Sequence, residues 1–212
     1  APAPIAPSTK TVEGHYRILL ESDPDMALVV RLGAGLGIRR AEILALRWSD
    51  INFEESLITI TNGLTNTPGI GQEKTETKTG RFGWATFPLD QELVNDLRDH
   101  HTKLDKVAAD LGVEPPADPY LFSNHPLGET PWHCDTPSKR LRRHVLANSE
   151  LPSITLKDLR AFVSTEVFAA GFNIPEASAV LRHESTQTTT KYYNALREDK
   201  ARQAALSLQR IL

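Results

Sequence analysis

The apolar residues of this chain recur mostly at the spacings of three and four that are typical of amphipathic helices. Seven segments show this pattern, at about Thr11–Glu21, Asp23–Leu32, Arg39–Arg47, Asp90–Leu111, Thr136–Asn148, Thr155–Gly171 and Leu196–Leu212. A shorter helix is predicted to begin near Asn173 and to run through Leu181. The pattern therefore predicts a mainly helical protein.

Residues that favour helix ends support three of these segments. Ser8 can cap the first helix, Asp23-Pro24 is a typical start for the second, and Gly112 follows the fourth as a C-cap. Three glycines are expected to break the second helix, at positions 33, 35 and 37.

The middle of the chain changes to the alternating pattern of β-strands. Leu57–Thr61 alternates β-branched residues and is followed by Asn62-Gly63, a typical turn dipeptide. A second strand is predicted over about Arg81–Leu89, with Thr79-Gly80 as a turn before it. The predicted fold class is α+β, mostly helical, with a small antiparallel sheet.

Length and composition restrict the class of protein. The 212 residues suffice for one well-packed domain, and 40% of them are hydrophobic, an ordinary share for a globular chain. No apolar run approaches the roughly 20 residues that span a bilayer. A single cysteine, Cys134, excludes a disulfide within the chain and favours a reducing compartment. Residues 1–7, rich in proline and alanine, are expected to be a linker.

The net charge of −3 hides an asymmetry along the chain. Residues 1–138 carry 12 basic and 20 acidic side chains, a net charge of −8, whereas residues 139–212 carry 12 basic and 7 acidic side chains, a net charge of +5. A basic C-terminal third on an acidic body can present a positive face to a polyanion. Uneven surface charge without a ligand is the alternative.

Motifs of several common enzyme classes are absent from the sequence. It contains no HExxH, no GxxxxGKS/T, no GxSxG and no CxxC pair. His133-Cys134-Asp135 places three metal-ligand types in a row, but adjacent residues rarely converge on one ion. We therefore expect a plain loop there and no metal site.

Cationic side chains are the better candidates for chemistry. Arg39 and Glu42 lie three residues apart at a helix start and so share a face. Lys157 and Arg160 share the polar side of another helix, where two cations make a rigid anion site. Lys78 lies in a predicted hairpin tip, from which a lysine can swing towards a substrate. Taken alone, each feature also fits a solvated surface.

Two tyrosines, Tyr192 and Tyr193, follow His183 near the end of the chain. A tyrosine close to several cations can attack a phosphate, because the cations lower its pKa and neutralise charge that develops on the phosphoryl oxygens. The alternative is that both tyrosines are core aromatics.

Four segments of the sequence, taken in chain order, resemble the catalytic domain of the tyrosine recombinases, the phage integrase family. They are Gly37–Ile51, Thr77–Gly80, Thr155–Arg160, and Leu181–His183 leading to Tyr192-Tyr193. The resemblance extends from about residue 10 to residue 200. It implies that residues 8–212 are the catalytic domain and that residues 1–7 are the remnant of a linker from a core-binding domain outside this chain.

The resemblance also implies roles for the candidate residues in the first three segments. Arg39 and Arg160 are expected to clamp the non-bridging oxygens of the scissile phosphate. Glu42 is expected to support Arg39, and Lys78 to protonate the leaving 5′ oxygen.

The fourth segment carries the nucleophile. His183 is expected to hydrogen-bond the phosphate, and Tyr192, nine residues later, to attack it. Two positions depart from the family pattern. Lys157 stands where the family usually has histidine, and it acts either as an acid–base group or as a phosphate contact. Arg182 replaces a glycine and adds a cation expected to bind DNA.

The function implied by the resemblance is site-specific recombination of double-stranded DNA. Strands are cleaved and rejoined through a 3′-phosphotyrosyl intermediate, as in integration and excision of a phage or mobile element. Arginine and lysine charges serve in place of metal ions, so no cofactor is expected. We expect a homotetramer on synapsed attachment sites for the full-length protein, a monomer for this domain, and a location in the bacterial cytoplasm.

Two other functions stay open at this point. One is relaxation of DNA by similar chemistry, as in type IB topoisomerases, which requires no synapsis of two sites. The other is a DNA-binding module that has lost catalysis, and the complete set of candidate side chains argues against it.

Four cations cluster within two turns of one predicted helix, at Lys139, Arg140, Arg142 and Arg143. We expect this cluster to contact the DNA backbone, because lysine and arginine dominate phosphate contacts. The alternative is a solvated helix face.

Overall fold

The computed structural model describes residues 6–67, 71–76, 85–173 and 175, without the side chains of residues 73, 75 and 76. Six α-helices are described: α1 Thr9–Ser22, α2 Pro24–Leu36, α3 Arg40–Ala45, α4 Gln91–Leu111, α5 Thr136–Ala147 and α6 Leu156–Ala169. The strands are β1 Ile51–Asn52, β2 Leu57–Ile60, β3 Asn62–Thr67, β4 Gly71–Glu76 and β5 Ala85–Pro88, and a short 3-10 helix spans Trp48–Asp50. This confirms the mostly helical α+β class with a small antiparallel sheet. The predicted helices through Leu181 and over Leu196–Leu212 lie outside the described residues.

The capping residues act as predicted. The side chain of Ser8 accepts a hydrogen bond from the amide of Thr11, and Asp23 accepts one from the amide of Met26 at 3.2 Å, directly before Pro24. Gly112 ends α4 in the left-handed conformation, with a φ of 64°. These ends depend on neighbouring residues alone, which is why the sequence predicts them.

The predicted break of α2 at Gly33 and Gly35 is wrong. The helix continues through both residues and ends at Gly37, whose φ of 63° is left-handed. Gly33 lies at a close approach of two helices, because a Cβ there would stand 3.1 Å from Cδ1 of Leu159 on α6, which is tighter than ordinary van der Waals contact. Tertiary packing thus outweighs the low helix propensity of glycine.

The described strands form two antiparallel sheets. In the first, β2 lies between β1 and β5, with Ile58 opposite Phe87. In the second, β3 pairs with β4 in a ribbon that the sequence analysis did not predict. Asn62-Gly63 begins β3, so the turn predicted there is wrong. Gly63 instead pairs with Thr75 of β4, and it lies beside Ala41 of α3.

Helix α2 is the centre of the described core. It packs against α1, α3, α4, α5 and α6, and its apolar side chains from Met26 to Val30 are almost fully buried. A helix that is apolar on every side is suited to such a position. Its C-terminal end, at Gly37, leads directly into α3.

A buried histidine pair joins α1 to α5. Nε2 of His15 lies 2.9 Å from the carbonyl oxygen of Pro152, and Nδ1 lies 3.0 Å from Nε2 of His144. Because a carbonyl only accepts, His15 donates from Nε2 and accepts at Nδ1 from His144. Both rings satisfy these bonds when neutral. Burial is the larger cause that lowers the pKa of His144, and the nearby His15 lowers this pKa further.

Candidate active site

Arg39 is fixed by a buried carboxylate. Its backbone amide donates to Oε2 of Glu42 at 2.7 Å, and its Nη1 donates to Oε1 at 2.9 Å. Glu42 is only 3% exposed, whereas the side chain of Arg39 is 43% exposed. Glu42 therefore caps the start of α3 and holds the guanidinium at the surface through the same carboxylate.

Arg160 is held at the C-terminal end of α2, which leads to Arg39. The N-terminus of α6 is fixed by Thr155 and Asp158, which bond reciprocally as a capping box. Leu159 is buried against Gly33, and the next residue, Arg160, donates from Nη1 to the carbonyl oxygen of Gly37. Gly37 precedes Arg39 by two residues, so Arg160 contacts the main chain beside the first predicted arginine.

Lys157 lies in the first turn of α6 and is exposed. It stands one helical turn before Arg160, on the solvent side of the same helix. The geometry therefore suits a cation that meets an anion arriving from solvent at the helix N-terminus.

The four cations of α5 divide into two kinds. Lys139, Arg142 and Arg143 are exposed. Arg140 instead donates to both carboxylate oxygens of Asp23, with Nε 2.9 Å from Oδ2, and its guanidinium lies 4.2 Å from the ring centre of Trp132. These contacts tie α5 to α2, so the structure gives Arg140 a packing role.

Arg40 and Gln72 are two polar residues whose contacts no sequence pattern predicts. Arg40 donates to Oγ of Ser138 at 2.9 Å and so links the starts of α3 and α5. The side chain of Gln72 on β4 donates to the carbonyl oxygen of Trp132 at 2.7 Å and anchors the ribbon β3–β4 beside α5. Neither contact has a signal in the sequence, since each joins residues about 60 or more positions apart.

The His133-Cys134-Asp135 segment is a loop, as predicted. Cys134 is buried, with its sulfur 3.9 Å from the carbonyl oxygen of Leu64, while both neighbours are exposed. Burial raises the pKa of the Cys134 thiol. Among the described residues, no three His, Cys, Asp or Glu side chains come together in a way that could hold a metal ion.

The sequence model of the phage integrase family matches residues 18–199. The chain belongs to the phage integrase family. No curated protein sequence matches it. The range matched by the family includes Lys78, Arg182, His183 and Tyr192, which all lie outside the described residues.

Solved structures of other integrases and recombinases share the fold of this family member. The Tn1549 transposon integrase in complex with transposon right end DNA superposes with a TM-score of 0.72 at 17% identity, over 94% of this chain and 66% of that chain. XerA recombinase gives a TM-score of 0.66 at 23% identity, over 96% and 66%. The integrase from mycobacterium phage Brujita gives 0.57 at 16% identity, over 91% and 53%.

The integrase-family chain thus spans slightly less than two thirds of the Tn1549 and XerA chains. In the described part of the chain, none of the helices has the length and apolarity to cross a membrane. Among the predicted catalytic and supporting residues, the structure describes Arg39, Glu42, Lys157 and Arg160, and it places Arg39, Glu42 and Arg160 next to the end of α2.

Proposed function

We propose that this chain cleaves and rejoins DNA strands at specific sites through a covalent 3′-phosphotyrosyl intermediate. The observation that carries the proposal is the anchoring of Arg39 and Arg160 at one end of α2, by Glu42 and by the carbonyl of Gly37. Two guanidinium groups held by rigid elements form a preorganised site for the two non-bridging oxygens of one phosphodiester.

In the proposed reaction, the phenolic oxygen of Tyr192 attacks the phosphorus, and the bond from phosphorus to the 5′ oxygen breaks. Tyr192 loses its proton to solvent or to a base at the site, and Lys78 gives a proton to the leaving 5′ oxygen. Arg39, Arg160 and His183 stabilise the charge that develops on the phosphoryl oxygens. The new phosphotyrosyl bond keeps the energy of the phosphodiester, so a 5′ hydroxyl from another strand reverses the step and joins new ends.

Lys157 contributes a phosphate contact in this proposal. Its exposed position and its place at the N-terminus of α6 support electrostatic attraction of the backbone. A lysine ammonium has three hydrogen-bond donors and no acceptor, which suits a contact with a phosphate oxygen.

Double-stranded DNA is the proposed partner. The Tn1549 integrase structures contain transposon DNA, and Lys139, Arg142 and Arg143 give α5 of this chain an exposed positive face. The proposal includes integration and excision of a phage or mobile element, assembly of four copies on paired sites, and action in the cytoplasm of a bacterial host. It also includes the division into a linker over residues 1–7 and a catalytic domain over residues 8–212, with Arg182 as a further DNA contact.

A nicked suicide substrate tests the central step. This DNA loses a short fragment after cleavage, so the covalent adduct accumulates and is counted on a denaturing gel. We expect the adduct with the unchanged chain and with Tyr193→Phe, and none with Tyr192→Phe. Adduct formation is expected to persist in excess EDTA. An adduct in Tyr192→Phe that disappears in Tyr193→Phe would reverse the choice of nucleophile.

A second assay separates recombination from simple relaxation. Two duplexes of different length, each carrying the same site, are incubated with the complete protein. Recombinant products of new length support the proposed function. Relaxation of supercoiled plasmid without any exchange between duplexes would favour the topoisomerase-like activity, and DNA binding without adduct would favour a binding module.

A further inference from the structure

Gly37 occupies an unusual position, because it ends one helix and bonds to the side chain of another. Its φ of 63° and ψ of 19° lie in the left-handed region, which glycine adopts without strain and residues with a Cβ avoid. Its amide donates to the carbonyl of Gly33, and its own carbonyl accepts from Arg160. The direction of that carbonyl is therefore set by the turn that ends α2.

We propose that Gly37 is a positioning residue: its left-handed conformation aims a main-chain carbonyl at Arg160 and so holds this guanidinium in place for the scissile phosphate. The inference rests on the proposed function for the identity of the anion. It adds a residue without any side chain of its own to the groups that determine the cleavage rate.

The two arginines are anchored by acceptors of different charge. Arg39 is held by the carboxylate of Glu42, which offsets part of the positive charge of its guanidinium. The carbonyl of Gly37 is neutral, so it orients Arg160 without cancelling charge. A long arginine side chain needs such an anchor, because it otherwise samples many rotamers. Gly37 thus gives Arg160 a fixed direction without itself adding a negative charge beside the guanidinium.

Packing at Gly33, one helical turn before Gly37, fixes the distance between α2 and α6 that the Arg160 side chain must span. Leu159 is fully buried against Gly33, where an added Cβ would lie 3.1 Å from Cδ1 of Leu159. Helices α2 and α6 therefore approach closely directly beside the bond from Arg160 to Gly37. A change in the direction of the Gly37 carbonyl cannot easily be followed by a movement of α6.

The chain offers a matched control for this inference. Gly112 ends α4 with a φ of 64°, nearly the same as that of Gly37, and a Cβ added there has no atom within 4 Å. Gly37→Ala and Gly112→Ala therefore introduce the same backbone strain at a helix end, but only Gly37 bonds to a predicted catalytic side chain.

The first test measures the single-turnover cleavage rate on the nicked substrate. We expect Gly37→Ala to slow cleavage at least about tenfold, since displacements of about 1 Å in an active site can cost up to roughly a hundredfold. Gly112→Ala is expected to stay within about twofold of the unchanged chain. Equal losses in both variants would overturn the proposal, because strain alone would then explain the effect.

A substrate with a methylphosphonate at the scissile position distinguishes positioning from a general defect. This group replaces one charged non-bridging oxygen with a neutral methyl, so cleavage depends less on a correctly placed cation. If Gly37 acts through Arg160, the deficit of Gly37→Ala relative to the unchanged chain shrinks on this substrate. An unchanged deficit would contradict the proposal.

Urea unfolding gives a readout that does not depend on activity. In a double-mutant cycle of Gly37→Ala and Arg160→Met, the shift in unfolding midpoint caused by Gly37→Ala is expected to be smaller when Arg160 is already replaced. Additive shifts would mean that the two residues are not coupled and would overturn the inference. If the cycle shows coupling but the unchanged chain forms no covalent adduct, the proposed function fails while the Gly37–Arg160 contact stands.

Discussion

Replacing Arg140 by methionine is expected to destabilise the fold without weakening the contact with DNA phosphates. The guanidinium makes two hydrogen bonds to Asp23, and the two side chains are 26% and 23% exposed. A charge-assisted pair in this partly screened position contributes on the order of 1 kcal/mol. Stacking of the guanidinium over Trp132 adds about 0.5–1 kcal/mol. The expected loss in the free energy of unfolding is therefore about 2 kcal/mol.

For a chain of this size, that loss lowers the melting temperature by about 4–8 °C. Arg142→Met, at an exposed position two residues along the same helix, is the matched control and should change the free energy of unfolding by less than about 0.5 kcal/mol. Urea and thermal unfolding followed by circular dichroism measure both variants.

DNA binding should show the opposite pattern. The affinity of a protein for DNA falls with salt, and the slope of that dependence decreases by about one for each phosphate contact removed. We expect Arg142→Met to reduce this slope by about one and Arg140→Met to leave it unchanged, in fluorescence-anisotropy titrations at several salt concentrations. The reasoning would be refuted if Arg140→Met left the unfolding curve unchanged and reduced the slope as Arg142→Met does.

Two further predictions concern buried polar groups. Glu42→Gln should lower the free energy of unfolding by about 1.5–3 kcal/mol and slow cleavage, because an amide cannot accept both bonds from Arg39; the same change at exposed Glu13 should do neither, and equal urea midpoints for the two variants would contradict this. Burial lowers the pKa of His144 from its ordinary value of 6.5, so the unfolded chain takes up the proton more readily than the folded chain. The contribution of His144 to stability is therefore present above about pH 6.5 and is lost as the pH falls. Urea midpoints at pH 7.5 and pH 5.5 should therefore differ less in His144→Gln than in the unchanged chain, and an equal difference would refute the assignment.

Features that depend on neighbouring residues could be predicted from the sequence, and those that depend on distant ones could not. Ser8, Asp23 and Gly112 act on their own helix ends and were identified correctly. The spacing of Arg39 and Glu42 within one turn likewise predicted their contact.

The errors have a common physical cause in long-range packing. Gly33 suggests a helix break, but α2 continues through it at a close approach to Leu159. Asn62-Gly63 suggests a turn, but it pairs with β4, which is distant in the sequence. The contact between Arg160 and Gly37 joins residues 123 positions apart, and no local pattern reports it. The contact between Arg140 and Asp23 joins residues 117 positions apart and likewise has no local signal.

The central position of α2 also has a consequence for the motions of the protein. Val29 and Val30 lie buried in the middle of this helix, which packs against five others. Local opening cannot expose them without separating those helices, so the exchange of their amide hydrogens with solvent reports the unfolding of the whole core. Both arginine anchors lie at the C-terminal end of this helix, at Gly37 and at the start of α3. The exchange rates of the amides at that end, compared with those of Val29 and Val30, therefore report how far the two anchors share the stability of the core.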